Sequence, residues 1–164
     1  MEKELHALSR QLHDVLAGSG ITIGTAESCT GGGVAQAIVA TPGASEYFKG
    51  GIVSYCNEIK ERLLHVSHQT LVEQTAVCEE VARQMVVGAC ETLHVDYAVA
   101  LTGLAGPGGG TPDIPVGTIW IGYGSKDHVN TLCLTGDNGR ENNLERAKST
   151  ALQLLTDYIH QTII

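Results

Sequence analysis

Residues 97–102, Tyr-Ala-Val-Ala-Leu-Thr, form an almost wholly apolar run. A half-exposed strand alternates apolar and polar residues. A short run without alternation reads instead as a strand covered on both faces. Thirteen residues follow, Gly103 to Pro115, with five glycines and three prolines. A chain built around such a strand needs helices to cover its sheet, which points to a layered α/β fold.

The remaining segments supply those helices. Residues 2–17 predict a helix with Leu5, Leu8, Leu12, Val15 and Leu16 on one face, stopped by Gly18 and Gly20. Ile21 to Thr25 predicts a short strand, and Gly33 to Ala40 a helix broken at Thr41-Pro42-Gly43. Gly51 to Cys56 predicts a second strand, with Asn57 capping a helix that runs to about Leu64. The segment from Ser67 to Leu93 reads as mostly helical, with Val77, Val81, Met85, Gly88 and Ala89 along one stripe. Strands at Val116–Tyr123 and His128–Leu134 are separated by a hairpin turn, so the sheet is expected to be mixed. The last helix covers about Arg140 to His160, with Leu144, Ala147, Ala151, Leu154, Leu155 and Tyr158 inward. No repeat or linker interrupts the chain, and one domain over residues 1–164 is expected.

Composition removes several function classes. The net charge is −8 with only ten Lys and Arg, too few for a phosphate-neutralising surface, so no nucleic-acid partner is expected. No stretch approaches the roughly 20 apolar residues of a membrane span, and the acidic first residues do not resemble a secretory signal. The five cysteines, at 29, 56, 78, 90 and 133, lack any CxxC pair and fit a reduced cytoplasm. His65 and His68 have an i, i+3 spacing, but nothing nearby completes a ligand set, so no metal is expected there; no cofactor is expected either.

Three segments carry candidate chemistry, each after a predicted strand, where ligands of open α/β sheets bind. In Thr25-Ala-Glu-Ser-Cys-Thr-Gly-Gly, a hydroxyl on a strand-to-helix turn lies beside free N–H groups. Ser28 there suits a nucleophile, with N–H groups around Cys29 and Thr30 for an oxyanion. Equally, Ser28 or Thr30 is a plain helix cap. Cys29 competes as nucleophile, although no histidine lies in any of the three segments to activate it. In Ser54-Tyr-Cys-Asn-Glu-Ile-Lys60, Lys60 becomes a base for Ser28 if burial lowers its pKa, with Tyr55 relaying or positioning the proton. The alternative is a solvated lysine beside Glu61 and Arg62. The glycine-rich block from Thr102 presents backbone N–H groups to an anion or is simply a mobile loop.

Taken in order, TAESCTGG, GGIVSYCNEIK and VALTGLAGPGGGTPDIPVGTIWIGY resemble the C-terminal domain of the competence/damage-inducible CinA family. The resemblance spans about Leu5 to Tyr158. It implies a three-layer α/β/α sandwich with a mixed, mainly parallel sheet that assembles into homo-oligomers. Its stand-alone members are similar in converting nicotinamide mononucleotide to nicotinate mononucleotide and ammonia through a Ser–Lys pair without metal. The matching residues are Ser28 and Lys60, with Tyr55 beside them. Thr102, Gly103, Gly106, Gly108 and Gly109 would contact the nucleotide. Gly31, Gly32 and Asn57 complete the expected binding set, with Arg140 at the phosphate. The arginine-bearing stretch departs from the family pattern: Arg140 and Arg146 match with altered spacing, and Leu144 stands where a further arginine is frequent. The molybdopterin-binding-like domain of two-domain members has no counterpart in these residues, so its activity is not expected. The rival expectations are a nucleotide-binding module without turnover and an amidohydrolase for another small amide.

Overall fold

The structure, a computed structural model, describes residues 2–164. The apolar run becomes β3 (Tyr97–Gly103), the central strand of a five-stranded sheet. On one side β1 (Ile23–Glu27) pairs parallel with β3, and β2 (Phe48–Val53) pairs parallel with β1. On the other side β4 (Ile119–Gly124) is antiparallel to β3, and β5 (Val129–Leu134) antiparallel to β4. The order is β2-β1-β3-β4-β5. The sheet is mixed as the hairpin requires.

Alternate β3 side chains feed two cores. Val99 and Leu101 pack with α1 (Glu2–Leu16), α2 (Gly33–Val39) and α6 (Arg140–Ile163). Ala98 and Ala100 pack with α3 (Asn57–Leu64), α4 (His68–Gln74) and α5 (Glu79–Leu93). Helices therefore cover both faces, completing an α/β/α sandwich. The small residues on the second face let α5 lie close. A Cβ on Gly122 would stand 2.8 Å from the Ala82 carbonyl oxygen, and one on Gly88 would collide with the backbone of Leu64 in α3. No helix among the described residues is long and apolar enough to cross a membrane.

Several boundaries differ from expectation. The first strand is 23–27 rather than 21–25, because the Thr22 N–H is taken by the Asp96 carboxylate (2.9 Å) and the ladder starts one residue later. Its less β-prone end is kept extended by pairing on both sides and complete burial. The second strand is 48–53 rather than 51–56: its register with β1 ends at Val53, and the chain then turns away. The expected helix over 67–93 is two helices. Ser67 caps α4 by accepting from the Thr70 N–H, and Thr75 at φ 66 breaks the path before α5. Val77 therefore lies in a connecting segment. Asn57 is the first helical residue, not the cap, which is the extended Cys56. In α6, Leu152 and Ile159 are fully buried, whereas Leu144, Leu154 and Tyr158 only border the core.

Candidate active site

The parallel strands β1, β2 and β3 all end on the same edge of the sheet. This brings Ser28, Ser54 and Thr102–Gly103 together. The Ser28 N–H donates to the Leu101 carbonyl (3.0 Å), and the Ser54 N–H to the Glu27 carbonyl (2.7 Å). Each residue after a strand is thus tied to the neighbouring strand before its chain departs.

Lys60 lies in the fourth position of α3, and its side chain runs back under the ends of β1 and β2. It is 1 % exposed. Its Nζ stands 2.9 Å from Ser28 Oγ, 2.8 Å from the Ser54 carbonyl oxygen and 3.5 Å from that of Tyr55. No carboxylate bonds it among the described residues. Burial without a counter-ion penalises the ammonium, so the Lys60 pKa is lowered, with desolvation the leading cause. Nζ donates to both carbonyls and to Ser28 Oγ; once it loses a proton, two N–H groups still serve the carbonyls and a lone pair becomes available to the Ser28 hydroxyl.

These groups open into a cleft of about 280 Å³. It is lined by Ser28, Cys29, Tyr55, Asn57 and Lys60 on one side, and by Thr102, Gly103, Gly106, Gly108 and Arg140 on the other. Larger hollows exist elsewhere: one of about 410 Å³ beside α1, α2 and α6, and one of about 670 Å³ at the opposite end of the sheet. Chemistry rather than volume distinguishes the smaller cleft.

Four expected residues do not line it: Thr30, Gly31, Gly32 and Gly109. Thr30 gives its hydroxyl to Glu27 (2.6 Å), while Gly31 and Gly32, both with positive φ, carry the chain over into α2. The N–H groups at the start of α2 are not available beside Ser28 as expected. The Glu27 carboxylate occupies those of Val34 (2.8 Å) and Ala35 (3.0 Å). The N–H groups of Cys29 and Thr30 donate to no other residue among those described. Tyr55 is 64 % exposed at the mouth, and Lys60 meets its carbonyl rather than its hydroxyl. Burial pushes the Cys29 thiol up to about 11, which keeps it protonated and a weak nucleophile.

Arg140 opens α6 and reaches the glycine-rich loop. Its Nη1 donates to the Gly106 carbonyl (2.6 Å). Asn143, fully buried one turn on, donates to the Ala105 carbonyl (3.1 Å) and to Asp137 (2.9 Å). Of the loop N–H groups without partners among the described residues, those of Ala105, Gly106 and Gly108 belong to residues that line the cleft, and those of Gly109 and Gly110 do not. Such a cluster, with one guanidinium beside it, suits an anion. Arg146 instead reaches the Gly136 carbonyl and is absent from the cleft. Sequence reasoning missed Asn143, and also Ala76 and Val77, which form part of the wall through a bond from the Thr102 hydroxyl to the Ala76 carbonyl (2.7 Å). The Thr-Ala-Val-Cys break between two apolar helical patterns was the available signal.

A family model for the CinA C-terminal domain matches residues 5–159. The nicotinamide-nucleotide amidohydrolase PncC of Escherichia coli is 40 % identical over 157 residues, covering 94 % of both chains. A CinA-like protein of Leptospira borgpetersenii is 52 % identical over 107 residues, 65 % of this chain but 26 % of that relative. The match thus spans about a quarter of that longer protein. Among solved structures, the competence/damage inducible protein CihA from Agrobacterium tumefaciens superposes with a TM-score of 0.91 at 35 % identity, covering 94 % of each chain. A CinA superfamily protein from Escherichia coli gives 0.89 at 34 % identity, covering 95 % of this chain and 92 % of that one.

Proposed function

The chain belongs to the CinA C-terminal domain family, and from that premise we propose that it is a nicotinamide-nucleotide amidohydrolase acting through Ser28 and Lys60. The hydrolase reading is supported by a relative of that name at 40 % identity over nearly the full length of both chains. The observation that carries the mechanism is a buried amine, without a carboxylate partner among the described residues, 2.9 Å from a serine hydroxyl at the floor of a cleft.

The neutral Lys60 amine takes the Ser28 proton as Oγ attacks the carboxamide carbon of nicotinamide mononucleotide. The Cys29 N–H, at the cleft wall, receives the developing oxyanion, with the unpartnered Thr30 N–H next along the turn. The Lys60 ammonium then returns its proton to the amide nitrogen, the C–N bond breaks, and ammonia leaves with an ester on Ser28. Water attacks the ester and gives a proton to Lys60. The C–Oγ bond breaks, Ser28 regains its proton, and nicotinate mononucleotide departs. Tyr55 contributes its carbonyl to the orientation of the amine, while its exposed ring flanks the mouth. Arg140 and the unoccupied N–H groups of the glycine loop take the substrate phosphate.

Purified protein incubated with nicotinamide mononucleotide is expected to release ammonia, and Ser28→Ala to lose activity by about 10³-fold or more. Thermal stabilisation by the nucleotide without ammonia release would replace this reading with a silent binding module. Release from another small amide but not from the mononucleotide would move the substrate.

A further inference from the structure

Glu27 is a buried carboxylate beside the nucleophile to which the proposed reaction gives no task. It is 1 % exposed at the end of β1. One carboxylate oxygen accepts from the Thr30 hydroxyl (2.6 Å) and the Val34 N–H (2.8 Å), the other from the Ala35 N–H (3.0 Å). Its main-chain carbonyl accepts from the Ser54 N–H (2.7 Å), and the Ser54 carbonyl in turn accepts from Lys60 Nζ (2.8 Å). The residue is therefore linked to both halves of the Ser–Lys pair, to Ser28 through the chain and to Lys60 through Ser54. Its backbone holds the strand end that orients the base, and its side chain holds the turn that carries the nucleophile. It makes no bond to Lys60 itself.

Three donors and no acceptor surround the two oxygens, so the position demands two accepting atoms. A glutamine would turn an amide nitrogen toward one of those donors. With the Val34 and Ala35 N–H groups filled by the carboxylate, those of Cys29 and Thr30, next to Ser28, and of Gly32 are without partners among the described residues. The bond to Thr30 fixes the turn that presents them.

We infer that Glu27 is a positioning residue of the hydrolytic site: it clamps Thr30 and the first turn of α2 so that residues 28–32 hold the Ser28 hydroxyl toward Lys60 and keep the oxyanion N–H groups free. This inference rests on the reading of Ser28 as nucleophile.

Three variants of the whole chain test it with nicotinamide mononucleotide as substrate: Thr30→Val, Glu27→Gln and, as reference, Ser28→Ala. Thr30→Val removes one arm of the clamp and leaves the helix bonds in place. It is expected to lower kcat about 10-fold or more, the scale for losing one hydrogen bond to a carboxylate. KM should stay within about twofold, and the acid limb of the pH profile should not move, because nothing that faces Lys60 changes. Glu27→Gln should lower kcat further with the same unmoved limb, and also lower Tm. Should Thr30→Val, which is expected to fold, keep wild-type kcat, Glu27 is a helix cap alone and the inference falls. A shifted acid limb in either variant would also overturn it, by showing that Glu27 acts on the charge of Lys60. Activity surviving in Ser28→Ala is a different outcome, because it removes the nucleophile itself.

Discussion

Gly88 in α5 sets how closely α3 is seated, and α3 carries Lys60. A Cβ at position 88 would lie 2.8 Å from the Leu64 Cα, 2.6 Å from its carbonyl carbon and nearer still to its oxygen. Carbon atoms rest about 3.5–4.0 Å apart, so Gly88→Ala drives this end of α3 away by roughly 1 Å. Leu64 and Lys60 are one helical turn apart and both buried, so the displacement passes directly to Lys60, the proposed base. A misplacement of about 1 Å costs on the order of 10²-fold in rate. Stability moves less. Overpacking costs about 1–3 kcal/mol, and alanine regains about 1 kcal/mol of helix propensity. The net loss is up to about 2 kcal/mol, or a Tm lower by up to about 8 °C. The assay pairs ammonia release at saturating substrate with a thermal melt. A Gly88→Ala protein that turns over at wild-type kcat would refute the claim that the α3–α5 contact sets the Ser28–Lys60 distance.

Lys60→Arg should be as inactive as Lys60→Met in the same ammonia assay, because a guanidinium keeps its proton at any accessible pH. Since burial lowers the Lys60 pKa, the rate should rise with pH through a value below about 10.4, the ordinary lysine figure. The same shift makes stability rise with pH. Between the folded pKa and about 10.4 the unfolded chain holds a proton that the folded one lacks, and denaturant titrations of Lys60→Met should lose that slope. Arg140→Ala should raise KM for the mononucleotide by about 10-fold or more and leave the dephosphorylated riboside nearly unaffected. Asn143→Ala removes the bonds to Ala105 and Asp137. It should lower stability by about 1–3 kcal/mol in denaturant titration and raise KM as the glycine loop loosens.

The sequence marks the fold where side-chain pattern and burial coincide. The run at 97–102 reads as a central strand because nothing polar interrupts it, and the hairpin at 124–127 declares the antiparallel half. Strand ends were less legible. β-branched residues cluster at Ile21–Ile23, yet the ladder runs on to Glu27, because pairing with both neighbours rather than propensity sets its length. The Ser28 and Lys60 candidates were visible as a serine on a turn and a lysine in a helix start. Local sequence did not distinguish them from a cap and a surface charge, since burial of the lysine depends on β1 and β2 lying side by side. Asn143 reads as an ordinary polar helix position. Its place depends on the approach of α6 to a loop 38 residues earlier. Val77 reads as part of a helix face because the apolar stripe passes through it, and Ala76 falls inside the same expected helix, while the break at Thr75 depends on backbone conformation.

An ester on Ser28 is the species that separates this mechanism from direct attack by water. Wild-type protein quenched during turnover of nicotinamide mononucleotide, digested and weighed by mass spectrometry, is expected to carry the nicotinate mononucleotide acyl group on the peptide containing Ser28, at a level that rises and decays with substrate. An unmodified Ser28 peptide throughout, while ammonia accumulates and hydroxylamine captures no acyl group, would contradict it.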